Sequence, residues 1–426
     1  MTEHPTEASV FGKLTWRVLP ILFICYFVAY LDRVNVSFAK LQMLGDLHLS
    51  DAAYGVGAGI FFLGYCLFEL PSNMILHRVG ARIWIARIML TWGVLSIAMA
   101  WVQGETSFYV LRFLLGVAEA GFYPGVLLYL SQWFPASRRG RITALFMIGN
   151  PMSGIIGGPL SGFIMQALGG AGGFASWQWL FIAEGVPALL MAVVVFLRLN
   201  DRVEDARWLL PDELSVVQGA LAREAKAKTH QTFRSAFTPR VWLLCLVYFG
   251  ISIGSNTLGF WQPTIIKNSF AGSTPLTIGL LSSIPYMAAL VAVLLAGRSA
   301  DHFRERRWHV IAPILCAALG LLLCVPFKAD VVPAMVALCL AAAGIVTTIT
   351  MFWALPTAFL GGAAAAAGIA LINSVGNLGG FVSPTVIGWL TARTQSLDAG
   401  LYATSAWLLM TAMLVLVFVP GRVVDR

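Results

Sequence analysis

The sequence predicts an all-α polytopic membrane protein with twelve transmembrane helices in two pseudo-symmetric six-helix bundles. Three observations predict it. Of the 426 residues, 58% are hydrophobic and only 11% are charged, whereas a soluble domain carries about 25% charged residues. The apolar residues fall into about a dozen runs, each near the ~20 residues that a hydrocarbon core requires. A polar stretch near the middle then divides these runs six and six. The same figures exclude disorder, collagen-like structure and a small disulfide scaffold. The runs are also too long and too continuous for the alternating ten-residue strands of a membrane β-barrel.

Residues 1–15 form a polar N-terminal tail. The first apolar run reads as a retained span rather than a cleaved signal peptide. The N-terminal bundle, residues 16–199, holds runs at Trp16–Phe38, Ala52–Leu76, Ile83–Trp101, Phe108–Leu130, Ile142–Leu168 and Trp177–Leu197. Residues 200–239 mix acids and bases and read as a solvated cytoplasmic linker. The C-terminal bundle, residues 240–420, holds Val241–Ile265, Ile278–Ala296, His309–Phe327, Val332–Phe359, Ala364–Leu390 and Leu401–Val419. Residues 421–426 form a short tail. Gly and Pro inside the runs are compatible with spans, because neighbouring helices satisfy the freed backbone groups.

The net charge is +8. Its bases gather in alternate loops, including Arg78 and Arg82, Arg138, Arg139 and Arg141, and Arg298, Arg304, Arg306 and Arg307. That bias sets orientation rather than nucleic-acid binding, and it places both termini in the cytoplasm. The loop Leu360–Ala363 is the exception, with no base on the expected inner side. All six cysteines lie in apolar stretches without metal-ligand spacing, as small packing residues do.

Charges inside spans are costly and therefore point to function. The first span carries Asp32 and Arg33, the second Glu69, and the fourth Arg112 and Glu119. Arg87 and Glu184 read as span-end charges settled by snorkelling or local pairing. Arg112 and Glu119 are seven residues apart, so two helical turns put them on one face about 10 Å apart. A mid-span carboxyl such as Glu119 can hold a proton and release it when water or a cation arrives, as a coupling site must. Its structural alternative is a hydrogen bond that locks helix packing. Asp32 and Arg33 are neighbours whose side chains diverge, so each needs its own partner. Asp32 is a second candidate for titration. Arg33 and Arg112 are candidates to hold an anion, with a pure ion-pair network as the alternative. Tyr30, Tyr65, Asn150, Trp353 and Asn373 together offer hydroxyl, amide and aromatic contacts to a small polar solute.

No nucleotide loop, zinc spacing, haem box or nucleophile elbow is present. The chain therefore reads as a non-enzyme without a cofactor. Faint internal symmetry links Trp133-Phe134-Pro135, Gly149-Asn150 and Gly158-Pro159 to Trp353-Ala354-Leu355-Pro356, Gly376-Asn377 and Pro384. Repeated halves suit alternating access about a central site.

Four strings carry a stronger signal: Tyr30-Leu31-Asp32-Arg33-Val34-Asn35-Val36-Ser37, Phe68-Glu69-Leu70-Pro71-Ser72-Asn73, the run from Arg112 through Glu119 to Gly125, and Gly149-Asn150-Pro151 followed by Gly158-Pro159-Leu160-Ser161-Gly162. Over nearly its whole length the chain resembles the major facilitator superfamily, in its anion:cation symporter branch. That branch includes bacterial uptake proteins for sugar acids, tartrate, phthalate and hydroxyphenylacetate. The resemblance implies proton handling at Asp32 and Glu119 and anion handling at Arg33 and Arg112. It also implies that Tyr30, Tyr65, Asn150, Trp353 and Asn373 line or border the cavity. The superfamily's inner-loop signature survives as Arg78, Gly80 and Arg82, with His77 where an acid is usual, and as Gly297 with Asp301 in the second half. Asn150 departs from the glutamine of galactonate carriers, which argues against galactonate.

The expected function is proton-coupled import of a small organic anion across a bacterial inner membrane by a monomer. The expected partners are the anion, protons and membrane lipid. Two alternatives stay open. One is an exchanger or facilitator without tight proton coupling, since Gly158-Pro159 resembles a motif of antiporters. The other is a transporter-like sensor.

Overall fold

The computed structural model describes residues 6–227, 238–270, 272–303, 305–359 and 362–419. Its helices in chain order are α1 (Glu7–Asp46), α2 (Asp51–Val79), α3 (Ala81–Ala98), α4 (Glu105–Glu119), α5 (Phe122–Trp133), α6 (Ala136–Met147), α7 (Gly149–Ala167) and α8 (Ser176–Arg198). They continue with α9 (Pro211–Ala227), α10 (Pro239–Ser269), α11 (Pro275–Phe303), α12 (Trp308–Leu323), α13 (Val331–Phe352), α14 (Ala354–Phe359), α15 (Gly362–Thr394) and α16 (Asp398–Phe418).

Ten segments among the described residues are long and apolar enough to cross a membrane: α1, α2, α3, α4 with α5, α8, α10, α11, α13 with α14, α15 and α16. Twelve are expected from the sequence. The fifth expected run is split at Ile148 into α6 and α7, and the Gly and Ser content of α7 dilutes its hydropathy. The ninth becomes α12, an apolar helix of only 16 residues. Many large apolar side chains point outward, among them Leu70 at 71% exposed and Leu197 at 70%. A water-exposed surface would not carry them in such number, whereas lipid accepts them.

α1 begins at Glu7 rather than Trp16. Thr6 caps it, its hydroxyl accepting from Ser9 N at 3.3 Å. Val10, Phe11, Leu14 and Val18 then bury one stripe, with Phe11 against Phe134. The first part of the linker is docked instead of solvated. Tyr129 donates to Asn200 O at 3.0 Å, and Trp208 donates from Nε1 to Asn200 Oδ1 at 3.1 Å while stacking on Trp133. Lys13 closes this clasp by pairing with Glu213 at 2.7 Å. The linker residues 228–237, the residues 360–361 of the base-free loop, and the tail lie outside the described residues.

The two halves meet chiefly where α2 lies along α15 and α7 lies along α11. Exchanging the halves converts one pairing into the other, since these are the second, eleventh, fifth and eighth segments. Glycines make both approaches possible. A Cβ at Gly158 would sit 2.7 Å from Gly279 O, and one at Gly59 would sit 2.7 Å from Phe381 O. Neither carbonyl can move aside without shifting a helix. At the same end of the bundle Tyr54 donates to Phe260 O at 3.0 Å, and Lys267 donates to Leu41 O at 3.0 Å. Buried Lys40 pairs with Asp51 at 2.8 Å and lies 3.6 Å from the Trp261 ring centre. These contacts close the end that carries the turn between α1 and α2.

Two outcomes follow from this packing. Gly279→Val should pry α7 from α11, because overpacking a backbone contact costs about 1–3 kcal/mol. Spin labels at exposed Gln166 and Thr274 should then report a longer distance, and an unchanged distance would refute the role of this crossing. The Lys13 ammonium, with the Leu210 amide, holds the Glu213 carboxyl below its ordinary value. A depressed carboxyl stabilises fully above the usual ~4.3 and loses that contribution as pH falls through its lowered value. Glu213→Gln should therefore melt lower than the native chain at neutral pH, and the two melting curves should converge on acidification.

Candidate functional site

The charged residues of α1, α2 and α4 converge within the N-terminal half. Arg33 on α1 and Glu119 on α4 form a short hydrogen-bonded ion pair. Their side chains are 20% and 3% exposed, so the arginine is the member open to an approaching solute. The guanidinium lies among four rings, with centres at 4.9 Å for Tyr30, 5.3 Å for Phe61, 5.9 Å for Phe62 and 5.6 Å for Tyr65. Their faces stabilise a cation in a site with little water.

Glu119 is the last residue of α4. Ala120 turns extended at ψ 131°, and Gly121 takes the left-handed conformation at φ +85°. A side chain at 121 would be strained there and would also collide with Ser72. The fourth span is thus two helices broken beside the ion pair. In the other half, the tenth expected span breaks at Trp353, between α13 and α14. Interrupted helices in matching positions of two halves are a hallmark of carrier binding sites.

Asp32 points away from Arg33, as their adjacency requires. It accepts short hydrogen bonds from Ser96 Oγ and Trp92 Nε1 on α3, and one from Asn35 Nδ2 at 3.0 Å. Arg112 is 1% exposed. It donates from Nε to Gly57 O at 3.2 Å and from Nη2 to Ala58 O at 3.3 Å, bracing α2 to α4, with its guanidinium 5.0 Å from the Phe61 ring centre. Here Arg112 stands behind the rings while Arg33 stands among them.

The remaining candidates fall in three places. Tyr30 is half-buried and Tyr65 buried, both under Arg33; Glu69 lies one turn beyond Tyr65, buried, with Oε2 lacking a hydrogen-bond partner. Asn150 on α7 and Asn373 on α15 are half-buried, and Trp353 packs 4.8 Å from Tyr248 on α10. At the basic loops, Gly80 joins α2 to α3 at φ +98°, Arg78 is exposed and Arg82 lies over the Phe196 ring. Gly158, followed by Pro159, forms the crossing with α11. Gly297 has no atom near its missing Cβ, and the Asp301 side chain lies outside the described residues.

Three residues escaped the sequence reading. Tyr248 stacks on Phe352 at 5.0 Å, and Gly376 leaves the room its ring fills; a tyrosine mid-span followed by a far glycine gives no local signal. Lys40, two residues past the first expected run, is buried within α1. Asp201 accepts from the Arg82 backbone N at 2.8 Å, capping α3 from the linker. It places an acid at the loop where His77 does not, a pairing only the folded chain reveals.

Comparison with known proteins places this geometry. The chain is 43% identical over 425 residues to a quinolone resistance transporter of Acinetobacter baumannii, covering 99% of this chain and 96% of that protein. It is 49% identical over 414 residues to a proposed tartrate transporter of Agrobacterium vitis, covering 96% of this chain and 91% of that protein. The inward-open xylose transporter XylE of E. coli superposes with a TM-score of 0.77 at 15% identity, covering 95% and 96% of the two chains, which speaks to fold alone. The model of the Major Facilitator Superfamily matches residues 22–384 and 244–426. With its paired bundles, its glycine crossings and a membrane-buried ion pair at a broken helix, the chain belongs to the Major Facilitator Superfamily and is a membrane transporter rather than an enzyme.

Proposed function

We propose that the chain imports a small organic anion together with protons across the bacterial inner membrane by alternating access. The Arg33–Glu119 pair carries this reading. Removing one member of a buried pair strands the other, which costs about 3–5 kcal/mol. A proton on Glu119 would strand Arg33 unless another anion took its place. A substrate carboxylate can take that place bidentately. Proton and anion then bind cooperatively, so they travel in the same direction, as in a symporter. An exchanger that alternated proton and solute would need them to compete. The relative that confers quinolone resistance keeps export in view, and transport direction decides between the two.

In this reading Glu119 takes the coupling proton, and Asp32, held by three donors, is the second carboxyl of the pathway. Arg33 binds the substrate; Arg112 positions α2 and its rings. Tyr30 and Tyr65 border the anion on one side, with Asn150, Trp353 and Asn373 across the cavity. Glu69, the loop residues Arg78, Gly80, Arg82, Gly297 and Asp301, and the Gly158-Pro159 crossing govern the rocking of the halves. The interrupted α6–α7 and the short α12 complete twelve spans. The basic loops then face the cytoplasm with both termini, and the closed end faces outward. Tartrate, sugar acids, phthalate and hydroxyphenylacetate are the substrate classes to test, with monomers as the working unit.

Purified protein in proteoliposomes with an internal pH dye should acidify the lumen when one acid class is added outside. Glu119→Gln should abolish that acidification and proton-driven accumulation while retaining exchange of preloaded label; native accumulation in this variant would overturn the coupling role. Arg33→Lys should raise the half-saturating substrate concentration about tenfold or more, the loss of one charge-assisted hydrogen bond of ~1.5–3 kcal/mol. An unchanged value would remove Arg33 from the binding site.

A further inference from the structure

Glu184 lies on α8, away from the Arg33–Glu119 pair, and is 2% exposed. Its Oε1 accepts from Ser161 Oγ on α7 at 2.7 Å. Its Oε2 is buried without a hydrogen-bond partner. Asn35, 1% exposed, donates from Nδ2 to Asp32 and also interacts with the Glu184 carboxyl. The Asn35 Oδ1 is likewise buried without a partner. Two neighbouring side chains thus each hold one buried oxygen without a hydrogen-bond partner, an expensive arrangement in a dry interior.

The surrounding groups sharpen the mismatch. From α1, the charged group acting on Glu184 is Asp32, which repels it. From α7 comes the Ser161 hydroxyl alone. From α3 come Trp92 and Ser96, and both donate to Asp32. Arg112 on α4 acts on Asp32. A bare carboxylate here would face a second carboxylate, with the Ser161 hydroxyl and the Asn35 amide as its partners and Oε2 still without one. A proton on Oε2 removes that repulsion and turns an orphaned acceptor into the missing donor.

The geometry points to Glu184 as a third proton-bearing carboxyl of the N-terminal half, joined to Asp32 through Asn35, protonated in this arrangement and releasing its proton to water during turnover. The sequence reads this residue as a span-end charge settled by snorkelling or local pairing; here it is buried, hydrogen-bonded to Ser161, with another acid, Asp32, acting on it. Only the turnover step rests on the carrier function proposed above; the protonation does not.

Infrared difference spectroscopy of the purified full chain at neutral pH tests the protonation directly. Subtracting Glu184→Gln from the native spectrum should leave one protonated-carboxyl carbonyl band. Loss of a carboxylate band instead would overturn the inference. Ser161→Ala leaves Glu184 in place and should move the same band to higher frequency, since its carbonyl loses a donor; this variant serves even where the Gln protein does not fold. In proteoliposomes with tartrate as the driven solute, the reversal potential should show one proton fewer per solute in Glu184→Gln. An unchanged ratio would overturn release during turnover. Absence of tartrate flux in the native chain would count against the carrier reading for that acid, while the infrared band would still decide the protonation.

Discussion

A charge inside an apolar bundle must always have a partner. Water is too scarce there to solvate it, and the price of leaving it alone exceeds most single packing terms. The architecture around the N-terminal charges follows from that constraint. Arg33 has Glu119 and four ring faces. Arg112 has two backbone carbonyls of α2. Asp32 has three donors. The break after Glu119 releases α4 from helical geometry where the carboxyl must meet α1, and Gly121 supplies the left-handed turn that lets α5 resume. Apart from Asn35 and Tyr30, which share α1 with Asp32 and Arg33, the partners come from other helices, so the charges also fasten the half together. The clasp of Asn200, Trp208 and Glu213 does the same at the basic face.

The boundary between the halves is built differently. At its two main crossings it uses glycine against backbone, with ring contacts such as Tyr54–Trp261 and Phe62–Phe260 beside them. Gly158 and Gly279 approach each other reciprocally, and Gly55 and Gly59 accept the α15 backbone. Close backbone contact gains dispersion without locking side chains together. Such an interface separates as a unit when the halves rock. The polar contacts added at that end, Tyr54 to Phe260 and Lys267 to Leu41, are few and each uses a single backbone carbonyl. A rigid half and a smooth seam are the two mechanical requirements of alternating access, and the sequence meets them with opposite residue types.

How much of this was legible in the sequence depends on the range of the signal. Apolar runs are local, so the helical bundles and the division into halves could be read directly. Asp32 and Arg33 had to diverge because neighbours on a helix point apart, and they do. The choice of partner was not legible, because it depends on which helices meet. Arg112 and Glu119 share a face by spacing, yet Glu119 pairs with α1 and Arg112 with α2. The helix breaks at 120–121 and 353 were hidden inside continuous apolar runs, since lipid-facing composition does not change across a kink. The division between α6 and α7 at Ile148 likewise falls inside one apolar run of the sequence. The linker's mixed charge read as solvated, whereas its Trp208 and Asp201 find partners only in the folded chain.

The distribution of charge between the halves carries one further consequence. Among the described residues every buried charged side chain belongs to the N-terminal half or its linker: Asp32, Lys40, Glu69, Arg112, Glu119, Glu184 and Glu213. Among the described residues the C-terminal half offers neutral groups instead, with Tyr248 and Trp353 in ring contact and Asn373 half-buried on α15. If an anion is held by Arg33, its charge is settled within one rigid half and does not change partners as the halves move. The barrier to rocking then contains no step in which a buried charge is transferred across the seam. The neutral half is left to read shape, by ring faces and amides. On the proposed function, substrate choice among acids of equal charge falls to residues of α10, α13 and α15, and proton handling to α1, α4 and α8. On this division the two properties can vary independently.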